Sequence, residues 1–261
     1  MRSALRYVYR WSRVFGFDPR KTVAAARFLP RFLSDYKRFS KLRTKGDLPF
    51  GGSFPVFDEY AETAGAASGH YFHMDLWAAR RIHQEQPERH LDIGSRLDGF
   101  IAHLLVFRTV DVLDIRPLEN AIPGLNFIQG DATKLPDIAD GSVQSLSCLH
   151  AAEHFGLGRY GDPIDPSGYR HLLRTLSRIL APGGRLYFAV PIGRERIEFN
   201  AQRVFDATRI VREMEGLDLV GFDAVNDKGD FVANADIASF GSADIACGLF
   251  EFSKPGLSSA L

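Results

Sequence analysis

Short apolar runs and amphipathic stretches alternate along most of the chain, and this pattern predicts its secondary structure. Apolar runs of strand length occur at residues 91–94, 112–116, 127–130, 142–149, 185–191, 217–225 and 247–252. Residues 169–180 instead place apolar side chains at the spacing of an amphipathic helix, and residues 203–215 are predicted as another helix. Strands that alternate with helices are typical of an α/β fold with a mostly parallel sheet.

The first three predicted strands each lead into a glycine or an acidic residue. Gly94 ends the first strand, and glycine lets the backbone pass close to a ligand. Asp114 ends the second, about twenty residues later, where a carboxylate can accept both ribose hydroxyls. Asp131 follows the third strand. Because ligands of open α/β sheets bind at the carboxyl ends of the strands, we predict a nucleoside cofactor at this edge.

The glycine spacing separates two classes of nucleoside cofactor. A nicotinamide dinucleotide requires glycines at the first, third and sixth positions, so that its pyrophosphate can lie on a helix N-terminus. The third position here is Arg96. S-adenosylmethionine has no phosphate, tolerates a looser turn and favours nearby acids, which this chain has at Asp92, Asp98, Asp114 and Asp131. The pattern favours S-adenosylmethionine, and the alternative is a domain that kept the sheet and lost the cofactor.

On these motifs the chain resembles the class I S-adenosylmethionine-dependent methyltransferases. The first motif of that family, acid-x-Gly-x-Gly-x-Gly, matches Asp92 and Gly94, departs at Arg96 and places Gly99 one residue late. The resemblance implies a Rossmann-like, mostly parallel seven-stranded sheet whose last strand is antiparallel. It also implies S-adenosylmethionine as the cofactor, bound by Asp92, Gly94, Ser95, Gly99, Asp114, Ile115, Asp131, Ala132 and His150.

The candidate catalytic residues follow the fourth predicted strand. Methyl transfer to a hydroxyl requires a group that takes the hydroxyl proton, and an imidazole that titrates near neutrality is suited to this. We predict His154 as the base, with Glu153 orienting it or binding the substrate. Methyltransferases that act on nucleobase or amide nitrogens commonly carry Asn or Asp followed by Pro-Pro at this place. This chain has Leu149-His150-Ala151-Ala152, so an oxygen acceptor is favoured.

The same residues allow a metal-dependent alternative. His150, Glu153 and His154 have the spacing of the Glu-x-x-Glu-His site of some quinone-pathway O-methyltransferases, which holds a divalent ion. A histidine in place of the first acid shifts the preference from magnesium toward softer metals. Our main prediction includes no metal. A third interpretation is that Glu153 and His154 only cap the next helix.

A second resemblance covers residues 70–205. Residues 90–99, together with 149–169, are similar to the signature of the uncharacterised methyltransferase-like family called domain of unknown function 268. Members of that family often accompany glycan biosynthesis, which suggests a glycan or a glycan precursor as the acceptor. Arg159, Tyr160 and Asp162 would then bind the sugar, or they would only order their glycine-rich loop. The alternative from a different class is a non-catalytic cofactor-binding or scaffold protein of a glycan-biosynthesis complex.

The segment before the first predicted strand is a candidate lid. In methyltransferases of this class such a segment often covers the cofactor. His70, Tyr71 and His73 stand at the start of a predicted helix and are candidates for that role. The alternative is that these rings are ordinary capping and packing residues.

Charge divides the 261-residue chain, whose formal net charge is zero. Residues 1–45 carry 13 Lys or Arg, and their only acids are Asp18 and Asp35. We therefore predict a basic helical arm and linker over residues 1–60 and a methyltransferase-like domain over residues 61–261. The arm contains a predicted second helix that begins at Pro19, with Asp18 as its N-cap.

The arm has three interpretations. It packs as a cap on the domain, or residues 1–45 lie on an anionic membrane surface with their aromatic rings at the headgroups. Nucleic acid, the third, is not expected as a partner because the remaining body is acidic. Arginines interrupt every apolar run, which excludes a secretory signal or a spanning helix. Two cysteines favour a reducing compartment, so we expect a cytoplasmic protein, peripheral to the inner membrane face if the arm binds lipid.

Overall fold

The computed structural model describes residues 2–61 and 67–256, which belong to two compact units. The first unit contains α1 (Arg2–Val14) and α2 (Pro19–Leu42), followed by a linker that ends in a 3₁₀ turn at Asp58–Ala61. The predicted start of α2 is confirmed, because the Asp18 carboxylate accepts the backbone N–H of Arg20 at 3.0 Å. Such a cap satisfies one of the free N–H groups of the first turn.

Aromatic side chains of α2 contact its own linker. The ring centres of Tyr36 and Phe50 lie 5.9 Å apart. Phe28 contacts Tyr60, and Phe32 meets Phe57 edge to face. The linker therefore partly covers the apolar stripe of α2. Within the described ranges, no helix is long and apolar enough to cross a bilayer.

The second unit is built on a mixed β-sheet. Its helices are α3 (His70–Glu85), α4 (Ala102–Leu105), α5 (Gly168–Ile179) and α6 (Ala207–Glu213). Its strands are β1 (Leu91–Ile93), β2 (Val110–Asp114), β3 (Leu125–Gln129), β4 (Val143–Leu149), β5 (Leu180–Ile192), β6 (Arg196–Glu198), β7 (Gln202–Val204), β8 (Asp218–Val225), β9 (Phe231–Val232) and β10 (Ala246–Ser253). Eight of the strands form one sheet in the order β3-β2-β1-β4-β5-β10-β8-β9.

The sheet confirms the predicted architecture. Strands β1 to β5 are mutually parallel, and β10, the last strand, runs antiparallel to both β5 and β8. The short strand β9 adds an eighth member at the β8 edge. The strands β6 and β7 form a separate hairpin.

One predicted helix begins later than expected. Residues 203–215 were predicted to be helical, but β7 continues to Val204 and α6 begins at Ala207. The reason is Asp206, whose carboxylate accepts the backbone N–H of Thr208 at 2.8 Å and so caps the helix there.

Apolar side chains on the two faces of the sheet form separate clusters. Along β5, Phe188 belongs to the cluster that includes α5, and the next residue, Ala189, to the cluster that includes α3. This alternation follows from the period of two in a strand. Both faces are therefore buried, and the carboxyl edge of the parallel strands stays accessible. Strand β1 lies between β2 and β4, the switch point where such sheets bind ligands.

Candidate active site

A cavity of about 340 Å³ lies at the carboxyl ends of β1, β2 and β4. Its wall contains Gly94 after β1, Asp114 at the end of β2, Asp131 after β3 and His150 after β4. The fold thus brings together four of the predicted cofactor-binding residues that lie far apart in the chain. Two more, Ile115 and Ala132, add apolar surface to the same wall.

Gly94 is needed at its position for two reasons. Its φ of +71° belongs to the left-handed region, which side chains other than glycine rarely adopt. A Cβ there would also lie 3.1 Å from the Cβ of Ala151. The turn after β1 can therefore approach β4 closely only with glycine.

Asp92 supports this turn from below. Its carboxylate accepts the backbone N–H of Ser95 at 3.0 Å and its hydroxyl at 2.6 Å, and it also accepts the Ser147 hydroxyl. The Ser95 hydroxyl in turn accepts the backbone N–H of Leu149 at 3.1 Å. Burial raises the pKa of Asp92 to about 6. Asp92 and Ser95 therefore tie the turn to β4 and do not line the cavity.

Gly99, also predicted to bind the cofactor, lies against α3 and not in the cavity wall. A Cβ at this position would collide with Oδ2 of Asp75. Burial raises the pKa of Asp75 to about 6. The structure therefore gives Gly99 a packing role between its own turn and α3.

The carboxylates of Asp114 and Asp131 both have partners within the chain. Arg116 donates to both oxygens of Asp114. Asp131 Oδ1 accepts the backbone N–H of Thr133 at 2.9 Å and its hydroxyl at 2.7 Å. Asp131 thus organises its own turn, while Asp114 is held by a flexible cation. Arg116 was not predicted from the sequence, although an arginine two residues after the ribose-binding acid is close enough to pair with it.

His154 ends a 3₁₀ turn, Ala152–His154, and lines the cavity. Its Nδ1 lies 2.7 Å from the carbonyl oxygen of Ala201, which assigns the proton to Nδ1 and leaves the lone pair on Nε2. Burial lowers the pKa of His154, and nearby Arg159 lowers it further. At neutral pH the ring is therefore uncharged and can accept a proton.

Glu153 is paired first with His150 and only second with His154. Its Oε1 lies 2.6 Å from Nδ1 of His150 and 3.7 Å from Nε2 of His154. The carboxylate is 1% exposed, so it does not reach a ligand in the cavity. Glu153 thus contacts His150 more closely than His154, the residue that it is predicted to orient.

His150 has an unusual backbone and a charged environment. Its φ is +51°, and its N–H donates to the carbonyl of Ala189 at 2.9 Å. Burial disfavours the charged form of the ring, but Cys247 and Glu153 favour it, and the pKa of His150 is raised. A left-handed residue other than glycine at a strand end is a conformation often found at functional sites.

The loop from Gly156 to Asp162 closes one side of the cavity. Asp162 accepts the backbone N–H groups of Gly156, Gly158 and Tyr160 at 2.7, 3.2 and 3.2 Å. Its carboxylate therefore orders the loop, the alternative raised for it above. Arg159 donates to the Ala201 carbonyl at 2.9 Å, the same oxygen that fixes His154. Within the chain, Asp162 therefore binds its own loop, and Arg159 binds the carbonyl that holds His154.

Tyr160 and Asp162 are the predicted substrate residues that line the cavity. The Tyr160 ring meets His154 edge to face, with ring centres 5.6 Å apart, and it belongs to the cavity wall. Phe155 and His171, which sequence reasoning did not select, line the same wall. His171 pairs with Asp165 at 3.2 Å.

Metal-ligating side chains converge at a set different from the one in the metal-dependent alternative. His150, Glu153 and His154 interact with one another through hydrogen bonds and charge, as described above. Within the described part of the chain, the set whose ligand atoms converge is His70, His150 and Cys247.

Comparison with known proteins places residues 91–188 in the methyltransferase domain family. A second profile, described as a Caenorhabditis protein of unknown function, DUF268, matches residues 140–237. No curated protein matches the chain. The two family matches confirm both resemblances drawn from the motifs.

Solved structures agree on the fold. The N-methyltransferase NodS from Bradyrhizobium japonicum WM9, in complex with S-adenosyl-L-homocysteine, matches at TM-score 0.50 and 16% identity, covering 72% of this chain and 89% of that chain. The [4+2]-cyclase SpnF also matches at TM-score 0.50, with 13% identity and coverage of 70% and 81%. At such identities the likeness concerns the fold alone.

The cavity fits the cofactor that the family match implies. It combines a close backbone approach at Gly94, a ribose-type acid at Asp114 and apolar wall residues at Ile115 and Ala132. Its volume is within the usual range for small-molecule sites. Residues 91–188 thus match the methyltransferase domain family, for which S-adenosylmethionine is the cofactor.

Proposed function

We propose that this protein methylates a hydroxyl group of a glycan or a glycan precursor, with His154 as the general base. The observation that carries the proposal is the state of this histidine. Its Nδ1 is fixed by the Ala201 carbonyl, and its neutral ring contributes to the wall of the cavity. An acceptor hydroxyl therefore meets a lone pair and not an N–H group.

S-adenosylmethionine, when bound, supplies an electrophilic methyl group on its sulfonium sulfur. Gly94, Asp114 and Asp131 would hold it at the strand ends, and Ile115 and Ala132 would contact its adenine. In the proposed set, Asp92, Ser95 and Gly99 act indirectly, by shaping the turn that the cofactor contacts.

Proton removal falls to His154. Nε2 takes the hydroxyl proton while Nδ1 keeps its hydrogen bond to Ala201, so the ring does not need to turn. Glu153 Oε1, 3.7 Å from Nε2, stabilises the imidazolium that results. Positioned bases of this kind contribute about 10²–10⁴-fold to a rate.

The acceptor class is inferred from the cavity wall and from the family resemblance. Tyr160, His154 and Phe155 offer rings on which the apolar face of a sugar can stack. Arg159 and Tyr160 are the residues we propose to contact sugar hydroxyls, while Asp162 holds their loop in place. An amine is the alternative acceptor, because NodS, one of the similar structures, is an N-methyltransferase.

Methyl transfer to simple probes tests the reaction. Radiolabelled S-adenosylmethionine would be offered with glucose, N-acetylglucosamine and glucosamine, with the full chain as catalyst. We expect labelled hydroxyl ether with the first two, and a label found only on the amine of glucosamine would contradict the oxygen assignment. His154→Gln should lower turnover about 10²–10⁴-fold and leave cofactor affinity unchanged. His83→Gln, on the exposed side of α3, is the matched control.

Cofactor titration separates the enzyme from the scaffold alternative. Calorimetry with S-adenosylmethionine, S-adenosylhomocysteine and NAD should show binding of the first two only, lost in Asp114→Ala. Binding without turnover on every acceptor, unaffected by His154→Gln, would favour the cofactor-binding scaffold.

A membrane surface is the second partner that we propose, through residues 1–45 of the basic arm. The rings of Tyr7 and Trp11 in α1 and of Phe15, directly after it, form one row, with neighbouring ring centres 6.1 and 6.2 Å apart. These side chains are 64%, 49% and 79% exposed. Arg10 and Arg13 lie on another face of the same helix. An exposed aromatic row beside arginines is typical of helices that lie in the headgroup region.

Vesicle sedimentation tests the arm. We expect binding to vesicles that contain phosphatidylglycerol, weaker binding in high salt and none to pure phosphatidylcholine. Trp11→Ser with Phe15→Ser should release the protein, while Phe54→Ser, which removes an 88% exposed ring in the linker, should not. Equal binding by both variants would contradict the role of α1.

A further inference from the structure

Three potential metal ligands meet beside the cofactor cavity, and each comes from a different part of the chain. His70 begins α3, His150 follows β4 and Cys247 is near the start of β10. One ring nitrogen of each histidine and the Cys247 sulfur all lie within 4.8 Å of one another. An ion centred among three atoms at that spacing needs only a small inward movement to reach normal bond lengths of about 2.0–2.3 Å.

His150 has the surroundings of a metal ligand. Its side chain is 7% exposed, and its Nδ1 is 2.6 Å from the Glu153 carboxylate. Among the described residues, Nε2 has no hydrogen-bond partner, although it is buried. Metal-bound histidines usually donate their second ring N–H to a carboxylate, which fixes the ring and makes the ligating nitrogen more basic. A buried nitrogen without a partner costs free energy unless something else binds it.

The backbone holds His150 in this position. Its φ of +51° is a left-handed conformation that costs free energy for a residue with a side chain. The hydrogen bond from its N–H to Ala189 fixes that conformation at the end of β4. Glycine would adopt this φ without that cost, so the histidine at this position indicates a role for its ring.

We propose that His70, His150 and Cys247 form a zinc site, with Glu153 as the carboxylate that orients His150. Two imidazoles and a thiolate are a borderline-soft set, which suits Zn²⁺ and not Mg²⁺ or Ca²⁺. The set differs from the His150, Glu153 and His154 alternative, because Glu153 here hydrogen-bonds a ligand and does not itself bind the ion. Ligation of Cys247 releases its thiol proton to solvent, so affinity rises with pH.

One movement is required for binding. The rings of His70 and His150 are nearly parallel, at 13°, with centres 5.2 Å apart. Imidazole lone pairs lie in the ring plane, so one ring must turn before both nitrogens meet the same ion. His70 is the residue more free to turn, because His150 is held at Nδ1 by the Glu153 carboxylate and its side chain is only 7% exposed. Zinc would thus tie the start of α3 to β4 and β10 beside the cavity wall.

Cobalt substitution tests the site directly. The full chain, stripped of metal and kept reduced, would be titrated with Co²⁺ and followed by absorbance. We expect one Co²⁺ per chain, with the near-ultraviolet band of a cobalt–thiolate bond, and loss of that band when Zn²⁺ is added. Cys247→Ser should abolish the band. Cys148→Ser, the other buried cysteine, should keep it.

Two further variants guard against a folding defect. His70→Phe keeps a ring beside His150 but removes the ligand, and Glu153→Gln removes the orienting charge. Each should weaken Co²⁺ binding about 10–100-fold, with near-ultraviolet circular dichroism unchanged before metal is added. Absence of the band in the wild type, or its survival in Cys247→Ser, would overturn the proposal. Neither result bears on methyl transfer, so the proposed function is tested separately.

Discussion

Arg116 forms a two-point ion pair with Asp114 in the wall of the cofactor cavity. Its Nη2 lies 2.6 Å from Oδ2 and its Nε 3.0 Å from Oδ1, and its backbone N–H donates to the same Oδ1 at 2.8 Å. The guanidinium also lies 4.5 Å from the centre of the Tyr160 ring. The carboxylate assigned to the ribose therefore has a competing partner within the chain.

Removal of Arg116 is expected to strengthen cofactor binding. The arginine side chain is 50% exposed, and ion pairs of this kind contribute at most about 1 kcal/mol. Arg116→Ala should therefore lower the dissociation constant for S-adenosylmethionine by up to about fivefold, as measured by calorimetry. Weaker binding would show that the guanidinium contacts the cofactor or that Tyr160 depends on it.

The loop beside His154 should not tolerate a side chain at Gly156. A Cβ there would lie 1.8 Å from the carbonyl oxygen of Asp165, and φ is +79°. Gly161 has a similar φ of +84° but nothing within 4 Å of a Cβ. Gly161→Ala should therefore cost only about 1–2 kcal/mol of left-handed strain, and Gly156→Ala clearly more. Denaturant unfolding of both variants measures the difference, and equal losses would contradict the collision.

Asp223 should be a major contributor to stability. It is 5% exposed and accepts hydrogen bonds from Trp77 Nε1, Arg81 Nη2 and the backbone N–H of Asn234, each at 2.7 Å. Asp223→Ala would leave the buried Trp77 Nε1–H unpaired, at a cost of about 1–3 kcal/mol in unfolding free energy, while Arg81 would keep its ion pair with Glu251. Asp140→Ala, which breaks an exposed pair with Arg178, should cost at most about 1 kcal/mol. Comparable losses would contradict this ranking.

The buried His90 should make the protein acid-sensitive. Burial, with a smaller effect of Arg108, lowers the pKa of His90 to about 3. The two ring nitrogens contact the hydroxyls of Ser145 and Ser147. Between pH 6.5 and 3 the unfolded state binds a proton that the folded state does not, so stability falls as pH falls. The slope from this residue is at most about 1.4 kcal/mol per pH unit.

His90→Gln isolates that contribution. Asp92 and Asp75, with pKa values raised to about 6, act in the opposite direction below that pH, since the folded state then binds the extra protons. The difference between wild type and variant cancels their effect. Urea unfolding over pH 4 to 7 should show the wild type losing stability relative to His90→Gln on acidification. Parallel curves would show that His90 does not titrate on unfolding.

Local features of this fold were predictable because they depend on neighbours in the chain. The N-cap at Asp18 and the turn at Gly94 follow from hydrogen bonds and backbone preferences within short segments. The antiparallel direction of the last strand was implied by the family resemblance. The helix predicted to begin at residue 203 begins instead at Ala207, because Asp206 caps it there.

The partner of each polar side chain, by contrast, was decided by the tertiary structure. Motif spacing brought Asp114, Asp131 and His150 to one edge, because parallel strands end together. Spacing could not show that Asp162 serves its own loop or that Glu153 pairs first with His150, since each acid has several donors within reach. Nor could it place Cys247 beside His70, because long-range strand order alone brings β10 next to the start of α3. The sequence by itself thus determined the elements and the edge where the cofactor binds, and the packed fold decided which charges meet there.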